Sequence, residues 1–342
     1  PGALRWRVLP RPGPGGVGPD STTIRSRVTV TEADRLSSMI RSSYPGAMTE
    51  RWPRWHGPVV AGVDGSEASL RAVRWAAAEA AGQGAGLRLV HAIGSAEFFP
   101  GGAIAPSTEL FGLLEQESTA LLEQARLAAT EIVPDLQVST SSTTEPAVLA
   151  LIAESGAARC VVLGGSGRGA LAGVLLGSTT LTLSAHAQCP VVAVRGRDRP
   201  HAPVVVGVDG SELSNLALGC AFAQAARRNV PLVAVHACHH GDSHRPRTEQ
   251  GLASEPQEAD ERRVLDRWLD RWAGLYPQVD VEPVVVRARP RECLIERSAE
   301  ASVLVVGSRG RGGFTGLLVG STSHAMLHYA ECPVMVVRPQ PG

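Results

Sequence analysis

The sequence predicts an α/β protein of two tandem open, mostly parallel five-stranded sheets with helices on both faces. Three observations predict it. The chain repeats itself, short apolar runs alternate with helix-forming stretches inside each repeat, and a glycine-rich turn recurs after the fourth apolar run of each copy. Residues 59–92 (VVAGVDGSEASLRAVRWAAAEAAGQGAGLRLVHA) align without a gap with residues 204–237 (VVVGVDGSELSNLALGCAFAQAARRNVPLVAVHA), an offset of 145. CVVLGGSGRGALAGVLLGSTT (160–180) matches VLVVGSRGRGGFTGLLVGSTS (303–323), and CPVVAVR (189–195) matches CPVMVVR (332–338), both at an offset of 143. A repeat of this length is a domain rather than a solenoid unit. The expected domains are 58–196 and 203–340, joined by a polar linker at 197–202. Residues 1–57 belong to neither copy; their Pro/Gly-rich, aperiodic composition predicts a disordered extension.

The elements follow in order. VVAGV (59–63) is a short apolar run suited to a buried parallel strand. Ser66 can cap the Ala-rich helix that follows over 67–82, with Glu67 in its first turn. LRLVHA (87–92) is the second strand. Residues 109–131 carry Leu110, Leu113, Leu114, Leu121 and Leu122 at helical spacing, and the stripe is expected to be core. A third strand near 136–142 precedes a helix from Pro146, where proline is tolerated in the first turn. CVVLG (160–164) is the fourth strand, Gly177-Ser178 opens a short helix, and PVVAV (190–194) is the fifth strand. The second copy repeats this order. Alternating strands and helices give a parallel sheet, whose ligands bind beyond the strand C-termini where strand order reverses.

Composition excludes several function classes. Lys+Arg and Asp+Glu both total 33, so there is no electrostatic case for nucleic acid or for a polybasic membrane anchor. No apolar stretch is long enough to span a bilayer. Six cysteines without a CxxC pair suggest reduced thiols and a cytoplasmic location.

The chemistry concentrates in the turns after the first and fourth strands. The first copy reads Gly164-Gly165-Ser166-Gly167-Arg168-Gly169-Ala170, then Gly177-Ser178-Thr179; the second reads Gly307-Ser308-Arg309-Gly310-Arg311-Gly312-Gly313, then Gly320-Ser321-Thr322. Glycines let successive backbone N–H groups converge on an anion, and a helix N-terminus adds free donors and a favourable dipole. Arg168, Arg309 and Arg311 can supply positive charge. The loop is not a Walker A site, because no GK[ST] follows, and not a Rossmann fingerprint, which would follow the first strand. One such loop alone is often just a turn; two at equal spacing, each with an aspartate after the first strand, point to a nucleotide. Asp64 and Asp209 also have a plainer reading as helix caps. His91 and His236 read as structural rather than catalytic. Cys238 with His239, His240 and His244 offers only a weak metal pattern, since the first copy has no counterpart.

G-x2-G-x9-G-[ST] after the fourth strand, V-G-V-D-G-S at 206–211 (A-G-V-D-G-S at 61–66 in the first copy) and the Cys-Pro-Val-x-x-Val last strand together resemble the universal stress protein family, in the tandem form of actinobacteria. The resemblance covers about residues 57–340. It implies an adenine nucleotide α-hydrolase-like fold and one ATP per domain, with or without Mg2+. Asp64 and Asp209 then match the aspartate lying against the nucleoside, Gly62 and Gly207 the glycine beside it, and Ala92 and Ala237 the backbone that touches adenine. Gly164, Gly167, Gly177 and Ser178, with Gly307, Gly310, Gly320 and Ser321, match the phosphate contacts. Ser166 and Ala170 stand where the second copy has Arg309 and Gly313, so the second site is expected to be the tighter.

No constellation for rapid turnover is visible, and one carboxylate per site is thin for phosphoryl transfer. The expected role is therefore that of a non-enzymatic, nucleotide-dependent stress-response or regulatory protein, acting on a protein partner, with weak ATP hydrolysis compatible. The alternative is an adenine-nucleotide-using enzyme of the α-hydrolase-like class, disfavoured because VDGS lacks that class's SGGxDS loop. Apolar last strands also suggest domain–domain pairing and a homodimer through those edges.

Overall fold

A computed structural model describes residues 55–93, 108–165, 177–238, 255–310 and 319–339. The chain divides into Pro1–Trp52 and Pro53–Gly342, and the described residues all lie in the second unit.

The first repeat runs β1 (Val59–Val63), α1 (Glu67–Gly82), β2 (Leu87–Ala92), α2 (Thr108–Ile132), β3 (Val138–Thr143), α3 (Ala147–Ser155), β4 (Cys160–Gly164), α4 (Ser178–His186) and β5 (Val191–Val194). The second runs β6 (Val204–Gly207), α5 (Glu212–Arg228), β7 (Leu232–Ala237), α6 (Glu255–Ala273), β8 (Val281–Val286), α7 (Pro290–Ser298), β9 (Val303–Gly307), α8 (Ser321–Tyr329) and β10 (Val334–Val337). The continuous apolar strands β1, β4, β6 and β9 are buried along nearly their whole length, as parallel strands covered on both faces must be. In each repeat the chain adds strands outward from the first strand, then crosses back to add the fourth and fifth on its other side. Right-handed crossovers therefore put α1 and α2 on one face and α3 and α4 on the other.

The two predicted sheets are one. The ten strands run in the order β3-β2-β1-β4-β5-β10-β9-β6-β7-β8. All pairs are parallel except β5–β10, which is antiparallel with Val192 opposite Met335. The reason is that β5 and β10 are wholly buried apolar strands, and each would otherwise leave an unpaired apolar edge. The order reads the same from either end, so the repeats are related by a pseudo-twofold through the β5–β10 seam.

Equivalent residues meet across that axis. Glu79 of α1 is buried, and its carboxylate accepts from Gln224 Nε2 at 2.7 Å and Arg227 Nη2 at 2.8 Å, both on α5. Gln224 stands at the position equivalent to Glu79 itself. Burial pulls the Arg228 guanidinium down from its ordinary value, and the nearby Glu79 offsets part of that effect. Arg195, at the end of β5, donates to Leu327 O of the other repeat. Arg338 returns the contact, donating to Ser184 O at 3.0 Å and Ala187 O at 2.8 Å. Each arginine thus reaches the C-terminal carbonyls of the partner repeat's short helix, where a cation is favoured.

One expectation fails. Of the leucine stripe on α2 only Leu122 is core; Leu114 and Leu121 are half-buried, and Leu110 and Leu113 are 41% and 60% exposed. The 25-residue helix is about 37 Å long. The six-residue strands beneath it cover only about 20 Å. Its N-terminal turns therefore overhang the sheet, and burial begins at Ser118.

Candidate functional site

The turn after β1 is built by three residues. Gly65 has φ +79°, and Gly210 in the second copy has the same value, a conformation that favours glycine. This bend turns the chain from strand into helix. Ser66 and Ser211 cap α1 and α5, accepting from the backbone N of Ser69 and Ser214. Asp64 Oδ1 accepts from Ser66 N at 2.9 Å and Ser66 Oγ at 2.6 Å; Asp209 Oδ1 accepts from Ser211 N at 2.9 Å. The aspartates are therefore not the caps: each is held by the capping serine, half-buried at the C-terminal edge of the sheet. Ser69 and Ser214 also brace this turn, donating to the carbonyls of Ser66 and Ser211 at 2.9 Å. Their recurrence five residues after each aspartate is legible in the sequence, outside the motif residues named above.

Ala92 and Ala237 end β2 and β7 at that same edge, and Gly164 and Gly307 end β4 and β9. The glycines divide by what surrounds them. A Cβ on Gly62 would lie 2.5 Å from Leu163 Cδ2, and one on Gly207 3.0 Å from Leu294 Cδ1. On Gly164 it would lie 2.7 Å from the Ala68 carbonyl carbon, and on Gly307 3.1 Å from that of Leu213. These four glycines thus let core leucines or the first turn of the capped helix approach the strand ends. Gly310 differs: a Cβ there would run into Asp209 Oδ2. The second copy therefore brings the aspartate of the first turn against the glycine of the fourth. Gly320 lies beside Arg309, with its Cβ position 3.3 Å from Arg309 Cα, whereas a Cβ on Gly177 would lie 4.0 Å from Thr180 Oγ1.

Both loops are pinched shut at their base. Gly177 N donates to Gly165 O at 3.4 Å and Gly320 N to Ser308 O at 2.7 Å. Gly165 N and Ser308 N donate to Val194 O and Val337 O. These four amides are committed to the protein. The free donors expected of a helix start fall instead at Ser178 and Thr179, and at Ser321 and Thr322. Neither α4 nor α8 has a side-chain cap, unlike α1 and α5, and Ser178 and Ser321 are exposed. Ser308 Oγ is buried without a hydrogen-bond partner among the described residues. Ser166, Gly167, Arg168, Gly169 and Ala170, and Arg311, Gly312 and Gly313, lie outside the described residues.

His91 and His236 are buried. His91 Nδ1 meets Ser118 Oγ at 2.8 Å, while His236 Nδ1 meets Val208 O at 2.7 Å and its Nε2 meets Glu261 Oε2 at 3.3 Å. Cys160, Cys189, Cys293 and Cys332 are buried as thiols, and burial pushes Cys189 and Cys332 up to about 12. Among the described residues no helix is long and apolar enough to cross a membrane.

The sequence profile of the universal stress protein family matches residues 56–195 and again residues 201–338. Two universal stress proteins of Mycobacterium tuberculosis are each 40% identical to this chain, over 297 and 299 residues, covering 84% and 82% of it and 98% and 96% of their own lengths. One from Mycolicibacterium smegmatis is 39% identical over 290 residues, covering 82% of this chain and 97% of itself. Among solved structures, a universal stress protein from Archaeoglobus fulgidus shares the fold with a TM-score of 0.61 at 17% identity, over 82% of this chain and 98% of its own. The chain belongs to the universal stress protein family, as two family domains in tandem.

Proposed function

We propose that each repeat holds one ATP at the C-terminal edge of its half of the sheet, and that the chain is a nucleotide-dependent stress-response or regulatory protein rather than a dedicated enzyme. The observation that carries this reading is the meeting of Asp209 with Gly310. It puts a carboxylate suited to ribose hydroxyls next to a glycine loop whose far end opens an uncapped helix. Ser321 and Thr322 would supply amide and hydroxyl donors to the phosphates, with Arg309 and Arg311 adding charge. Asp64, Ser178 and Thr179 take the roles of Asp209, Ser321 and Thr322 in the first repeat. The second site is the tighter, because Arg309 and Gly313 replace Ser166 and Ala170. Mg2+ would enter with the nucleotide rather than through a protein cage.

The test is to purify the full chain, denature it with acid and analyse the supernatant for nucleotide. Adenine nucleotide near two equivalents per chain is expected. Absence of nucleotide, together with no heat on titration with ATP, contradicts the reading. Steady multiple-turnover formation of an adenylated product would favour an enzyme instead.

A further inference from the structure

His236 is the penultimate residue of β7, and Cys238 follows two residues later just past the strand end, so both side chains leave the same face. Glu261 descends onto that face from α6. The Nδ1 or Nε2 of His236, Sγ of Cys238 and a carboxylate oxygen of Glu261 all lie within 4.8 Å of one another.

Hydrogen-bond accounting at His236 shows what the cluster needs. Val208 O can only accept, so Nδ1 must carry a hydrogen. In a neutral ring Nε2 is then an acceptor too, yet it faces Glu261 Oε2 at 3.3 Å, another acceptor when ionised. The contact therefore needs a proton, on the ring or on the carboxyl, or a metal ion that both groups can ligate. The Nδ1–H bond to a backbone carbonyl is the arrangement that orients a metal-ligating histidine. The Trp268 ring, edge-on to His236 at 5.8 Å, walls the site on one side.

The first repeat is an internal control. At the equivalent places it has His91, Ile93 and Ser118, with His91 Nδ1 simply hydrogen-bonded to the Ser118 hydroxyl. The second repeat keeps the histidine but has cysteine for isoleucine and glutamate for serine. Both replacements add a metal-ligating atom, and both point at the same imidazole.

We propose that His236, Cys238 and Glu261 form a binding site for one divalent transition-metal ion of the zinc type. Imidazole and thiolate favour zinc-like ions over Mg2+ or Ca2+. In a tetrahedral zinc site neighbouring ligand atoms lie about 3.3–3.8 Å apart. Contraction from the present spread is small, and Glu261 is partly exposed and can turn inward. Binding replaces the thiol proton, and any second ring proton, with the metal; both are released to solvent. Among the described residues three ligands are available, which leaves one position of a tetrahedral site to be filled. The site lies on the α6 side of β7.

The experiment uses the full chain, stripped with chelator, kept reduced and titrated with Co2+ in the absence of nucleotide. One equivalent should bind with a near-ultraviolet thiolate-to-cobalt charge-transfer band, displaced by Zn2+. Cys238→Ile should abolish that band, and Glu261→Ser should weaken binding by at least about tenfold. Both variants carry residues that the first repeat already accommodates at these places. A titration without the band, or a band that survives Cys238→Ile, overturns the proposal. A second readout needs no variant: Zn2+ should slow alkylation of Cys238, followed by peptide mass, at least about tenfold. An unchanged rate overturns the proposal.

Discussion

At the scale of single residues, the glycines of the two turns serve different purposes. The glycine pattern was legible in the sequence; which glycine serves packing was not, because Leu163, Ala68, Leu294 and Leu213 reach these positions through tertiary contacts. Gly310→Val should lower nucleotide affinity at the second site by at least about tenfold, a loss of more than about 1.4 kcal/mol, because it displaces the Asp209 carboxylate. Thermal stability should hardly change, since a side-chain end can move. Gly164→Val should do the reverse first, costing about 1–3 kcal/mol of stability, because the neighbour it meets is the Ala68 backbone. Calorimetry and thermal melts on both variants separate the two roles. The thiols make a second prediction at this scale. Cys189 and Cys332 ordinarily titrate near 9.0 and are pushed up to about 12 in the fold by burial. Above pH 9.0 the unfolded chain loses these protons first, so stability should fall as pH rises from 9.0 toward about 12 and be unaffected by them below 9.0. Melting temperatures across that range check it, and the slope should flatten in the Cys189→Ala, Cys332→Ala double variant.

At the scale of elements, the strands and capped helices were the most legible parts. Runs such as VVAGV and CVVLG are too apolar to lie anywhere but between two helical layers, and serine after Asp-Gly marks a helix start locally. Helix α2 was misread for the opposite reason: periodicity reports a face, not how far the sheet extends beneath it. Leu113 and Leu122 carry the same pattern, yet one hangs beyond the strands and the other packs on them. Leu113→Lys should therefore change stability by less than about 0.5 kcal/mol, whereas Leu122→Ala should cost about 2–5 kcal/mol. Urea unfolding of the two variants gives the comparison directly. The overhanging turns are also why the apolar surface of α2 faces solvent near the strand C-termini, on the side of the sheet edge where the site residues gather.

At the scale of the whole molecule, the duplication predicts two domains, and their apolar last strands predict that the domains pair edge to edge. Edge pairing of β5 with β10 follows from apolar last strands, but the polar seam beside it depends on positions that carry no motif. Glu79 is such a position: helical, Ala-flanked and indistinguishable in sequence from a surface glutamate. Glu79→Ala leaves Arg227, Arg228 and Gln224 without their buried acceptor and should cost about 3–5 kcal/mol, read as a fall in the melting temperature of both repeats together. The pseudo-twofold also sets up the comparison on which the functional account turns, because it presents the same pair of turns twice with different loop residues. Titration of the nucleotide-free full chain with ATP in a calorimeter tests that account most directly. It predicts two binding events, one per repeat, the tighter of which alone is weakened by Gly310→Val. A single event, no heat at all, or equal weakening of both sites by that substitution would contradict it.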